Sequence, residues 1–103
     1  MNDISYEQEA HVLRREISNG PPLFPPPNND PDNLFLRFRR RDSRSKRRIT
    51  CVNLLKFFIR NQTSPHSKYV ISKVAGEMWR DATQHNKEAY NNLCNQINLR
   101  NNH

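Results

Sequence analysis

Four histidines, at positions 11, 66, 85 and 103, and two cysteines, Cys51 and Cys94, are the residues of this 103-residue chain that most invite metal or nucleophile chemistry. A structural zinc site takes its ligands in close pairs, roughly two to five residues apart. None of these six side chains has such a neighbour. No base or orienting group marks either thiol as a nucleophile, and two glycines leave no room for a Gly-rich phosphate cradle. The expectation is a binding module with no enzymatic activity, no cofactor and no metal.

Charge says what such a module binds. The formal net charge is +7 and the pI about 10.0, a balance that draws polyanions. It is concentrated in "RFRRRDSRSKRR", residues 37–48, where Arg37, Arg39, Arg40, Arg41, Arg44, Lys46, Arg47 and Arg48 are opposed by Asp42 alone. Like charges at this density repel, so the run is expected to be mobile until it meets a polyanion. It also reads as a nuclear import signal. Two cysteines far apart in sequence read as reduced, which suits an intracellular protein. The polar, acidic opening "MNDISYEQEA" is expected not to be a secretory signal. No apolar run approaches the roughly 20 residues that span a bilayer. A nuclear protein without a membrane partner is the expectation.

The apolar spacing and the prolines divide the chain into elements. Residues 3–18 predict a short, marginal helix whose apolar positions Ile4, Val12, Leu13 and Ile17 bury little. Residues 20–32 hold six of the seven prolines and predict an extended linker or docking strip. From Cys51 onward apolar residues recur at spacings of three and four. Helices are predicted at about 50–61, 66–81 and 84–99, with Thr50 capping the first, Ser64-Pro65 opening the second and Thr83 capping the third. Phe58, Trp79 and Tyr90 are the expected aromatic centre, with Trp79 as its anchor and Met78 beside it. The fold class is therefore all-α: a three-helix domain over residues 47–100, preceded by a disordered Pro-rich and Arg-rich region over 1–46.

"ISKVAGEMWRDATQHNKEAYNNL" resembles the second and third helices of the high-mobility-group (HMG) box, particularly its fungal mating-type branch. The matching residues are Ile71-Ser72-Lys73, then Gly76 to Trp79, then Lys87 to Tyr90. For the first helix the counterpart is "NLLKFFIR", residues 53–60, which sets Asn53 on the family's base-contacting asparagine and Leu55 on its phenylalanine. Lys56 then falls where many members carry an apolar wedge, and the stretch from Asn53 to Trp79 is shorter than the usual box by about two helical turns. "NLFLRFRR" at 33–40 is a rival match, ranked second because its spacing to Trp79 is long. "LFPPP" upstream is similar to the leader of the mating-type branch.

The resemblance implies an L-shaped three-helix domain, with a shortened first helix, that lies in an A·T-rich minor groove of double-stranded DNA and bends it. Minor-groove binders combine phosphate contacts with apolar wedges that open base steps. Arg47, Arg48, Arg60 and Lys73 are then the phosphate contacts, Asn53 and Ser72 the hydrogen-bonding groups, and Leu54 and Leu55 a reduced wedge beside Lys56, which stands where many members carry an apolar one. The reading is a transcriptional regulator of the mating-type kind. A second reading is a protein-interaction module that keeps HMG-like helices without DNA bending and docks partners through its Pro-rich leader. A third is an RNA- or membrane-surface binder driven by the arginine run alone.

Overall fold

The computed structural model describes residues 6–41 and 49–101, without the side chains of 38–41 and 101. The described residues form five helices: α1 Tyr6–Asn19, α2 Pro31–Arg41, α3 Cys51–Gln62, α4 Lys68–Asp81 and α5 Gln84–Asn101. Among them there is no strand. The all-α class is right. The disordered N-terminal region is not: its described part folds onto the rest, α1 against α4 and α2 against α5, while α3 lies across both α4 and α5.

The three later helices start where their capping chemistry puts them, with one exception. Thr50 accepts the Asn53 N–H at 3.1 Å and opens α3. Thr83 accepts the Asn86 N–H at 3.2 Å and opens α5. α4 opens one turn later than predicted, because Ser67 rather than Ser64 is its cap, accepting the Tyr69 N–H at 3.2 Å. Ser64 is engaged elsewhere, as shown below.

A fully buried tyrosine, Tyr90 of α5, sits where these elements converge. Phe58 and Trp79 meet its ring with centroids 6.1 and 5.8 Å away, both close to edge-on, and Phe24 approaches to 5.2 Å. Trp79 itself is only partly buried, so it borders the centre that Tyr90 occupies. A buried phenol needs a hydrogen-bond acceptor. That acceptor is the backbone carbonyl of Leu23, 2.6 Å away, in the proline-rich stretch. Leu23 is buried too, and Gln62 of α3 donates to the Pro21 carbonyl at 3.1 Å. The predicted linker is thus a strap lying on the core.

The strap leads into α2, which the sequence reading assigned to linker and mobile basic run. Asp30 caps it, its carboxylate accepting the Asp32 and Asn33 N–H groups at 3.1 and 3.3 Å, with Pro31 as the first helical residue. Leu34 is completely buried, and an ion pair from Asp32 to Arg100 ties the helix start to the end of α5. Residues 42–48, including Arg47 and Arg48, lie outside the described residues. Beyond them Ile49 is gripped by buried Asn98 of α5, whose amide accepts its N–H at 2.8 Å and donates to its carbonyl at 3.0 Å.

α1 is held from two sides. Ala10 and Leu13 are completely buried and Ile17 packs beside them, one stripe at helical spacing. Flanking that stripe, Glu9 and Glu16 reach the turn before α4. Glu9 accepts the Ser67 N–H at 2.7 Å, and Glu16 accepts the N–H and hydroxyl of Ser64 at 2.8 and 2.9 Å. His66 sits between them, Nδ1 facing Glu9 and Nε2 facing Glu16, each at 3.2 Å. Arg14 and Glu77 form a further ion pair across the two helices.

Removing Leu13 tests whether α1 belongs to the cooperative unit. Leu13→Ala is expected to cost about 2–5 kcal/mol in urea unfolding, whereas a helix only loosely attached would leave the midpoint unmoved. Acid gives a second test. The Ser64 N–H, then its hydroxyl, and His66 hold the Glu16 carboxyl below its ordinary 4.5. A carboxylate with a depressed folded value stabilises fully above its ordinary value and loses that contribution as pH falls through the folded one. The protection of α1 amides, relative to the intrinsic exchange rate at each pH, is therefore expected to fall below pH 4.5, and less so in Glu16→Gln.

Candidate nucleic-acid interface

The exposed edge of α3 carries three of the expected contacts. Asn53, Lys56 and Arg60 follow one another at i, i+3 and i+7, so they share a helix face. Asn53 and Arg60 are exposed and Lys56 is half-buried. On α4, Ser72 is half-buried and Lys73 is exposed, its ammonium 3.2 Å from Glu77.

Leu55 must be removed from this set. It is completely buried, as is Leu54. The stripe of α3 that faces α4 and α5 is so wide that both leucines fall inside it, and a side chain packed in the core cannot enter a base step. The α3 edge therefore presents an asparagine and cations but no apolar wedge.

α2 supplies what α3 lacks. In "NLFLRFRR", Leu34 is buried and Phe35 partly buried against the core, while Asn33, Leu36 and Arg37 face outward. Leu36 is 56% exposed, a large apolar side chain left in solvent between an asparagine and an arginine. The Asn33 side-chain oxygen accepts from the Asn28 amide at 3.0 Å, which orients it at the helix start. The signal for these residues was the rival match, set aside on spacing.

Gly76 marks the exposed face of α4, together with Tyr69, Lys73 and Arg80. A Cβ built on it would meet nothing within 4 Å. Neither packing nor backbone conformation calls for this glycine, although a mid-helix glycine costs about 1 kcal/mol against alanine. It leaves a low point in a surface bordered by a serine and two cations.

Neither thiol is prepared for chemistry. The Cys51 thiol donates to the Asn91 side-chain oxygen Oδ1 at 2.7 Å. Burial pushes its thiol up, and burial with the neighbouring Cys51 pushes Cys94 to about 12, so both stay protonated at neutral pH. Among the described residues no group of three or more His, Cys, Asp or Glu is arranged to hold a metal ion. No helix among them is long and apolar enough to cross a membrane.

If the glycine serves the surface and not the fold, Gly76→Ala is expected to raise stability by about 0.5–1 kcal/mol in denaturant unfolding. A loss of stability would place it in packing after all. Three comparisons with known proteins return nothing: no family model, no curated protein and no solved structure matches this chain.

Proposed function

We propose that this chain is a double-stranded DNA-binding protein of HMG-box type, acting in the nucleus as a transcriptional regulator of the mating-type kind, and that α2 is the helix that enters the minor groove. The observation that carries this reading is the exposed trio Asn33, Leu36 and Arg37 on a helix whose other face is locked into the core by Leu34. Leu36 stands three residues after its asparagine, the position of the apolar wedge in the resemblance. An alkyl group inserted there unstacks a base step, and the bend it causes brings more basic surface to the phosphates. Asn33 supplies a donor and an acceptor for A·T edges. Arg37 and the basic residues that follow neutralise phosphates, as do Lys73, Arg60 and the α4 face around Gly76.

The burial of Leu54 and Leu55 favours the second reading, a protein-interaction module without DNA bending, because it strips α3 of any wedge. The two readings separate on Leu36. Fluorescence anisotropy of the full chain against a four-way junction and a linear A·T-rich duplex, across a salt series, is the measurement. Under the DNA reading the bent junction is preferred, and Leu36→Ala weakens it about tenfold or more while leaving the unfolding midpoint within about 0.5 kcal/mol. Asn33→Ala acts in the same direction. Replacing Arg44, Lys46, Arg47 and Arg48 by glutamine lowers the salt slope for both DNAs alike. Equal affinity for both DNAs, unaffected by Leu36→Ala, refutes the groove-entering reading.

A further inference from the structure

We propose that Ser64 is a phosphorylation site for a proline-directed serine/threonine kinase, and that its phosphate releases α1 from α4. The modification is an ordinary phosphoryl transfer. Ser64 Oγ attacks the γ-phosphorus of ATP, the bond from that phosphorus to the β–γ bridging oxygen breaks, ADP leaves, and the hydroxyl proton passes to the kinase's catalytic base.

Three features of the turn make Ser64 a substrate. It lies between Gln62, the last residue of α3, and Lys68, the first of α4, outside either helix. Ser64 and Pro65 are both exposed, and Thr63 before them has extended backbone, φ −127° and ψ 167°. A kinase cleft takes its substrate extended, as Thr63 already is, and the Ser64 hydroxyl leaves Glu16 to enter it. Pro65 has no N–H to offer, which suits an enzyme whose site after the acceptor residue asks for no backbone donor.

The consequence follows from the groups around the hydroxyl. Both oxygens of Glu16 lie within 2.9 Å of Ser64 Oγ, and Oε1 also takes the Ser64 N–H at 2.8 Å. A phosphate on Oγ carries about 1.5 to 2 negative charges at neutral pH and would stand in the place of the carboxylate it repels. A guanidinium and an imidazole are at hand on the other side. Arg60 and His66 line, with Thr63 and Ser64, a cavity of about 290 Å³ open to solvent. Phosphate turned into it meets donors, while Glu16 turned away loses every contact it has with the turn. His66 Nε2, now 3.2 Å from Glu16, then serves the phosphate. α1 keeps the Glu9 contacts, the Arg14–Glu77 pair and its short apolar stripe.

The test uses the full chain, ATP and a recombinant kinase of the cyclin-dependent class, with site mapping by mass spectrometry and amide exchange before and after. The expected result is phosphate on Ser64 and exchange at Ala10, Leu13 and Ile17 faster by about tenfold or more, with α5 unchanged. In Glu16→Gln, where no charge is repelled, phosphorylation is expected to shift α1 exchange far less. Failure of the kinase to modify Ser64 in the full chain overturns the site. Phosphate on Ser64 with α1 exchange unaltered overturns the release.

Discussion

One hydrogen bond organises the middle of this protein: the Tyr90 hydroxyl donating to the Leu23 carbonyl. A phenol with no solvent contact cannot be left unpaired without a cost of about 1–3 kcal/mol, and burial pushes its ionisation up, so it stays a donor at every ordinary pH. The three later helices offer it rings on several sides but no acceptor that the structure uses. The acceptor comes from a segment 67 residues away in sequence. Fixing Leu23 fixes the strap, and the strap has α1 at one end and α2 at the other. Both N-terminal helices are drawn into the domain by the requirements of a residue on the last one.

Composition explains why they are needed. With 34% hydrophobic residues and a mean hydropathy of −1.02, three helices of ordinary length cannot bury enough apolar surface to be comfortably stable. Ala10 and Leu13 cover α4, and Leu34 covers α5; each is completely buried. These few side chains are small additions in area. In a core of this size they are a large fraction of the total, which is why a helix that looks marginal alone is not marginal in place.

Where local chemistry decides the outcome, it could be read directly. Thr50 and Thr83 cap the helices they were expected to cap, and the spans of α3, α4 and α5 follow the spacing of three and four. Partners distant in the chain were hidden. Ser64-Pro65 and Asp30-Pro31 look alike as helix starts, but Glu16 takes the Ser64 hydroxyl, so one becomes a turn and the other a cap. Leu55 and Leu36 are both leucines three or fewer residues after an asparagine. Whether either can reach DNA depends on which side of its helix is covered, and that is settled by the elements packed on it, α4 and α5 for Leu55 and α5 for Leu36.

The same long-range anchoring bears on how charge is presented. α2 is packed on α5 and pinned by the pair from Asp32 to Arg100. Ile49, on the far side of the remaining basic residues, is clasped by Asn98 of the same helix. Both flanks of the segment carrying Arg44, Lys46, Arg47 and Arg48 are thus fixed to one rigid element. A basic tail with a free end adds affinity without orientation, because its contacts are equally good anywhere along a phosphate chain. If the chain binds DNA as proposed, cations flanked on both sides by fixed points add affinity in one register, set by the helix that carries Leu36. Under the proposed DNA-binding reading, that coupling of a general attraction to one exposed leucine favours a bent duplex over a straight one.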